Sequence, residues 1–305
     1  MNSIEIKNLV KVYKENNKEK LALKGIDLNI PKGSFFGLLG PNGAGKSTTI
    51  DILAGLTIKT SGSVKISGLD LENDFLESRY KIGVVPQELQ LDTFFTVGEL
   101  LNYYAGYYGI IKPQYIIDEL LENLHLKDKV NTYTYALSGG MKRRLLVAKA
   151  LIHQPEIVIL DEPTAGVDVE LRHQLWNYIR FLNQEKKITI VITTHYLEEA
   201  EELCDLLAIM NEGQIIAYDT TKNLMKKNTI KFVELGLENN LDAIPKFLMD
   251  FEPQLEGTKL TLKLPEKLKI GDFIKDLASS ELPIIDIAFK EPSLEDVFRK
   301  LTTKH

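Results

Sequence analysis

Apolar and polar residues alternate over residues 3–13, where Ile4 and Ile6 are followed by Leu9, Val10 and Val12. A period of two predicts a strand with one buried face. Leu21–Ile30 and Ser63–Leu71 show the same alternation, and the three together predict an antiparallel subdomain. A second kind of run is nearly continuous in apolar residues: Ser34–Leu39, Glu156–Leu160 and Ile188–Thr193. Strands buried on both faces look like this and belong to parallel sheets covered by helices. Between Glu88 and Ala136 the period becomes helical, with Leu100, Leu101, Tyr104 and Tyr107, then Ile116, Ile117, Leu120, Leu121 and Leu124. That segment predicts a helical subdomain of about 88–136 inserted between strands of the parallel sheet. Its Tyr103, Tyr104, Tyr107 and Tyr108 read as packing residues.

After Tyr218 the pattern changes. The polar, Lys-rich stretch at 221–228 predicts a linker between a first domain, 1–220, and a small α+β domain over 229–305. In that domain strands are expected at 230–237, 260–264 and 284–289, and helices at 241–251, 270–278 and 293–301. Ser293, with Asp296 three residues on, is an N-cap signal.

A length of 305 residues agrees with two domains. The net charge of −6 argues against non-specific nucleic-acid binding, which needs a basic surface, and no nucleic-acid partner is expected. The one cysteine, Cys204, cannot form an internal disulfide and reads as a small buried apolar residue. No basic segment followed by an apolar stretch opens the chain, and no apolar run approaches the roughly 18 residues of a membrane span. Work at a membrane would therefore need a second chain to hold the protein there.

The chemistry concentrates in two places. Gly40, Pro41, Asn42, Gly43, Ala44, Gly45, Lys46 and Ser47 fit GxxxxGK[ST], with Thr48 following, between an apolar strand and a helical stretch. Glycines let backbone N–H groups turn inward around an anion, and the helix adds its positive end. Lys46 is placed to neutralise β- and γ-phosphates, and Ser47 to offer a hydroxyl to Mg²⁺. The strand Ile157–Leu160 ends in Asp161 and Glu162. Strand ends in open α/β sheets face the ligand crevice. Asp161 is a metal-holding carboxylate, and Glu162 is placed to orient and deprotonate an attacking water.

Leu137-Ser138-Gly139-Gly140-Met141-Lys142-Arg143-Arg144 narrows the reading. Alone, Ser138 reads as an N-cap. Between a phosphate loop and an acidic strand end, the segment resembles the LSGGQ signature of ATP-binding-cassette (ABC) ATPases. The resemblance covers residues 1 to about 220. It implies a P-loop NTPase core with an antiparallel β subdomain and a helical insert, binding ATP and Mg²⁺. It further implies that Ser138, Gly139 and Gly140 face the nucleotide of a second copy. By the same resemblance Gln87 looks like the Q-loop glutamine that reaches Mg²⁺ and the water. His195 looks like the switch histidine at the γ-phosphate, and Asp168 like the aspartate that crosses the dimer interface. Tyr13 fits the aromatic that stacks on adenine, or is a strand residue. Met141 stands where the family usually has Gln, and Ala165 where it often has Ser.

Glu291–Phe298, Val85–Glu88 with Phe94–Glu99, and Ala105–Gly109 resemble ATPase subunits of ABC-2-type exporters. This resemblance implies an ATP-hydrolysing homodimer, peripheral on the cytoplasmic face of the cell membrane and coupled to an integral membrane permease. It would dock through the groove beside Gln87 and the helical insert. The rival class is a soluble cassette ATPase acting on nucleic acid or ribosomes. Those relatives carry two cassettes or a long inserted coiled coil, and this chain has one cassette without such an insert. A binding module without turnover is disfavoured by Glu162 and His195. The acidic run Glu198–Glu202 is expected to be a solvated helix face at a helix start.

Overall fold

The computed structural model describes residues 1–15, 18–164, 169–227, 231–241, 244–265, 268–280, 282–290 and 293–302. It divides into two units, Met1–Thr221 and Lys222–His305.

The first unit opens with a long hairpin, β1 (Asn2–Glu15) and β2 (Lys18–Pro31). β3 (Phe35–Leu39) follows, every residue of it buried, and runs through the phosphate loop into α1 (Lys46–Ala54). β4 (Ser61–Ile66) and β5 (Leu69–Asp70) return to the hairpin and complete an antiparallel sheet of order β2-β1-β4-β5. Next come α2 (Phe75–Tyr80), β6 (Ile82–Val85), α3 (Val97–Tyr107), α4 (Gln114–Asn123) and α5 (Gly139–Leu151). The remainder is β7 (Ile157–Asp161), α6 (Val169–Gln184), β8 (Thr189–Thr193), α7 (Leu197–Leu203), β9 (Leu206–Asn211) and β10 (Gln214–Thr220). The second sheet has the order β10-β9-β3-β8-β7-β6 and is parallel except for β10, which turns back on β9.

The two strand patterns in the sequence therefore separate into two sheets, as their periods require. β3 and the central residues of β7 and β8 are apolar and buried, as strands of a parallel sheet covered on both faces are. α1 packs against β2 on one side and β7 on the other. Its Ile50, Ile52 and Leu53 share one core with Ile4, Ile6 and Leu9 of β1 and with Ile157 and Ile159 of β7. Each such side chain contributes about 1.5–3 kcal/mol on burial, so the helix that carries the phosphate loop is clamped between both sheets.

The inserted segment carries α3 and α4, which pack on each other and on α5. Thr96 and Glu99 form a reciprocal capping box at the start of α3. Backbone and side-chain hydrogen bonds from Thr96 hold the Glu99 carboxyl below the usual carboxylate range. Arg144 of α5, almost fully buried, donates to the carbonyls of Leu124 (2.8 Å) and His125 (3.3 Å), tying the end of the insert to α5. Among the described residues no helix is long and apolar enough to cross a membrane.

At the junction of the units the expected linker is instead helical, α8 (Thr221–Lys227). Beyond it lie β11 (Lys231–Leu237), β12 (Gln254–Glu256), β13 (Lys259–Leu264), α9 (Ile270–Ala278), β14 (Ile284–Lys290) and α10 (Leu294–Thr302). The strands form an antiparallel sheet of order β12-β13-β11-β14. Val233, Leu235, Leu260 and Leu262 bury one face against Phe273 and Leu277 of α9. The helix expected over 241–251 is reduced to a 3₁₀ segment, Lys246–Phe251. Pro245 disfavours helical backbone at the residue before it, and Asp242 and Ala243 lie outside the described residues. Ser293 caps α10 through reciprocal bonds with Asp296.

Candidate active site

At Gly40 and Gly45 the phosphate loop leaves no room for a side chain. Gly45 has φ +106°, and a Cβ there would lie 2.8 Å from Leu23 Cδ2 and 3.0 Å from the Ala22 carbonyl. The loop thus runs directly against β2. Gly45 also sits at the N-cap of α1 and supplies no capping side chain. The first N–H groups of that helix are left for an anion. Lys46 Nζ donates to the carbonyls of Gly40 (2.7 Å) and Pro41 (3.1 Å), so the ammonium is held over the mouth of its own loop. Burial lowers its pKa, while the charges of Glu162 and Asp161 oppose the shift.

Opposite the loop, the end of β7 is set by β8. Asp161 pairs with Thr193 across the parallel ladder, and Thr193 Oγ1 donates to Asp161 Oδ1. The next residue, Glu162, is left-handed (φ 46°) and donates its N–H to both the carbonyl and the hydroxyl oxygen of Thr193, each at 3.1 Å. A non-glycine residue held this way costs about 1–3 kcal/mol and concentrates at functional sites. The turn swings the Glu162 carboxylate to a point where two other chain segments meet it. Gln87 Nε2 donates to Glu162 Oε2 at 3.0 Å, and His195 Nδ1 lies 3.5 Å from the same oxygen. Burial pushes the Asp161 carboxyl upward, and the neighbouring Glu162 adds to this; the Thr193 hydrogen bond, Lys46 and Arg143 act against it.

A cleft of about 350 Å³ joins these groups. It is lined by Asn42, Gly43 and Gly45–Thr48 of the loop, by Gln87, Asp161 and Glu162, and by Tyr13 of β1 with the facing residues of β2. Tyr13 is partly exposed, with Lys11 Nζ 4.6 Å from its ring centroid. Ala44, within the loop, is buried. Oxygen donors of the Ser47, Gln87 and Asp161 type are those that Mg²⁺ takes.

The signature segment does not join this cleft. Ser138 and Gly139 are exposed, and neither they nor Gly140 line it. Ser138 caps α5, its Oγ accepting from the Met141 N–H at 3.3 Å. Asp168 and Ala165 lie outside the described residues.

Three further residues shape this site without standing out in the sequence. Thr193 orients Asp161 and the Glu162 backbone. Arg143, only 3% exposed, donates from its two terminal nitrogens to the carbonyls of Pro86 (2.7 Å) and Gln87 (2.8 Å). Glu199 departs from the solvated face expected of Glu198–Glu202. Its carboxylate is buried, and Oε2 accepts from Thr164 (3.0 Å) and from Thr194 (3.2 Å), the residue before His195. Arg172 of α6 lies 3.6 Å from its other oxygen. The one local signal is helical spacing: Glu199 and Ala200 stand four and three residues before Leu203, and these three form the buried face of α7.

The family model described as "ABC transporter" matches residues 23–165, a span that contains the phosphate loop, Gln87, Ser138 and both carboxylates. The chain is 36% identical over 291 residues to the Nod factor export ATP-binding protein I of Rhizobium sp. (strain N33), covering 93% of each chain. It is 33% identical over 314 residues to the linearmycin resistance ATP-binding protein LnrL of Bacillus subtilis (strain 168), covering 98% of each. Among solved structures it is similar to a dimeric post-hydrolysis state of the ATP-binding cassette MJ0796 bound to ADP and Pi. There the TM-score is 0.66 at 28% identity, over 72% of this chain and 98% of that one. A structure of an ATP-binding subunit of an ABC transporter matches with a TM-score of 0.68 at 27% identity, over 73% of this chain and 92% of the other.

Proposed function

We propose, for a chain that belongs to the ABC transporter family of ATPases, that two copies close around two ATP molecules and so drive a separate membrane-spanning export partner. One observation carries the shared site: the hydrolytic groups converge on Glu162 inside the cleft, while Ser138–Gly140 stand outside it on an exposed helix start. A helix N-terminus turned away from its own nucleotide is available to the nucleotide of another chain.

In this reading Tyr13 stacks on the adenine, and the Gly40–Thr48 loop holds the phosphates. Lys46 leaves the Gly40 and Pro41 carbonyls for the β- and γ-phosphate oxygens. Ser47, Gln87 and Asp161 would hold Mg²⁺, which neutralises charge on those oxygens when bound. Glu162 takes a proton from the attacking water as the water oxygen bonds to the γ-phosphorus and the bond to the ADP oxygen breaks. Gln87 and His195 orient Glu162, and His195 turns to the γ-phosphate. Ser138, Gly139 and Gly140 of the second copy close over that phosphate, and Asp168 crosses the interface. Phosphoryl transfer needs this kind of positioning and charge stabilisation rather than covalent chemistry.

Ser138→Arg tests the shared site. A single chain is expected to bind nucleotide with unchanged affinity, because Ser138 is outside its cleft, but ATP-driven pairing and hydrolysis are expected to fall to background. Wild-type turnover by Ser138→Arg would remove the second copy from the mechanism.

The export partner is supported by the names of the full-length relatives and by exposed apolar side chains beside the Gln87 loop, among them Leu89, Phe94 and Tyr103. These form the surface proposed to receive short cytoplasmic helices of a permease, and they would place the ATPase on the inner face of the membrane. The chain expressed in its own host is expected to co-purify in detergent with a polytopic membrane protein, and Phe94→Asp to abolish that without lowering basal ATPase activity. Recovery with ribosomes or nucleic acid instead would favour the rival class.

A further inference from the structure

Two neighbouring arginines of α5 are both almost fully buried, and they hold different things. Arg144 grips the end of the helical insert through the Leu124 and His125 carbonyls. Arg143 spans the carbonyls of Pro86 and Gln87, two consecutive residues of the loop whose glutamine reaches Glu162. A buried guanidinium carries a desolvation penalty that an apolar residue of similar size would avoid, so packing alone does not call for one here. Burial lowers the Arg143 pKa, and the charges of Asp161 and Glu162 oppose the shift. The planar fork fixes two acceptors at once, where a lysine would offer a single mobile charge.

Little more than one helical turn separates Arg143 from Ser138. α5 is regular from Gly139 onward, so a displacement of its first turn is carried to Arg143 as a rigid motion. The chain of contacts therefore runs from the Ser138 turn through Arg143 to the Gln87 backbone, then from the Gln87 amide to Glu162 and His195.

We propose that Arg143 couples the two nucleotide sites of a closed pair, by tying the helix start that meets the partner's ATP to the loop that orders Glu162 over this chain's own ATP. The inference rests on the shared-site reading above. ATP on the partner draws the Ser138 turn inward, Arg143 carries the Gln87 carbonyl with it, and Glu162 comes to its working position. Each site becomes competent when the other is filled, which is positive cooperativity with a physical carrier. Arg143 does not line the cleft and acts as a positioning residue.

The test compares wild type, Arg143→Lys and Arg143→Met in the ATP dependence of hydrolysis, with nucleotide affinity measured separately on the uncomplexed chain. Wild type is expected to hydrolyse with a Hill coefficient approaching about 2, the number of coupled sites. Arg143→Met is expected to drop to about 1, with the affinity of the pair for its second ATP weakened by about 5–150-fold, the usual span of a coupling free energy, and with a lower kcat. Its single-chain affinity for nucleotide is expected to stay unchanged. Arg143→Lys, keeping a cation and one donor at a time, is expected to restore part of the cooperativity. A structural role alone would lower the melting temperature and the active fraction without moving the Hill coefficient. Arg143→Met with wild-type cooperativity overturns the coupling. If Arg143→Met does not fold, Arg143→Lys decides: a reduced Hill coefficient supports the proposal, and a wild-type one overturns it. A non-cooperative wild type together with a fully active Ser138→Arg overturns the shared-site reading and this inference with it.

Discussion

Glu162→Gln is expected to bind ATP and to hydrolyse it about 10²–10⁴-fold more slowly than wild type, the usual effect of removing a general base. Glutamine has the same shape and keeps an oxygen for the Gln87 amide, so the 3.0 Å contact that orders this corner survives. The basic oxygen at the head of the cleft is lost. The backbone at position 162 is fixed by two bonds to Thr193 and by its left-handed conformation, neither of which depends on the side-chain charge. ATP affinity is expected to hold or improve, because one negative charge facing the triphosphate is gone. Unable to turn over, the variant is expected to accumulate as an ATP-bound pair, visible by sedimentation with ATP and absent with ADP. Turnover near the wild-type rate would show that another group takes the proton.

Lys46→Ala is expected to weaken ATP binding by about 10²-fold and to abolish measurable hydrolysis. Without the ammonium, a triphosphate entering the cleft meets Asp161 and Glu162 with one less cation between them. Hydrogen bonds to charged groups are worth about 1.5–3 kcal/mol each, and roughly 3 kcal/mol is a hundredfold in affinity. Fold stability should move the other way. The folded Lys46 pKa lies below its ordinary 10.5, chiefly through burial, so the charged form is disfavoured in the fold relative to the unfolded chain. That penalty is fully present at neutral pH and is relieved only as pH rises through the folded pKa toward 10.5. Removing the lysine is therefore expected to leave the melting temperature at pH 7 no lower than wild type, a trade of function against stability that active sites show. Calorimetric titration with ATP and a thermal melt on the same sample check both halves. Unchanged ATP affinity would displace Lys46 from its assigned place.

Much of the first unit was legible because its signals are local. A strand buried on both faces, a glycine turn and a helix in that order determine where the phosphate loop sits. Period-two strands predict the antiparallel sheet without any tertiary information. The residues that were not legible act through contacts distant in sequence. Arg143 and Lys142 are equivalent in charge, and only the approach of Pro86 and Gln87 makes one of them a buried clamp. Glu199 looks like its neighbours in Glu198–Glu202 because charge alone does not say which member turns inward, and a short helix makes the spacing to Leu203 a weak sign. The hydroxyls of Thr164 and Thr194 make that choice. Thr193 reads as a β-branched strand residue until its register opposite Asp161 is known. At the unit junction, polarity and lysines suggest an irregular linker, yet Lys, Leu and Met are good helix formers, and the stretch folds as α8.

In the proposed mechanism the Lys46 cleft becomes a complete hydrolytic site only when a second copy covers it. A structure of Glu162→Gln with ATP and Mg²⁺ tests this most directly. Two chains enclosing two nucleotides are expected, with Ser138 of each chain hydrogen-bonded to the γ-phosphate held by Lys46 of the other. A nucleotide enclosed by one chain, with Ser138–Gly140 still facing solvent, would contradict it.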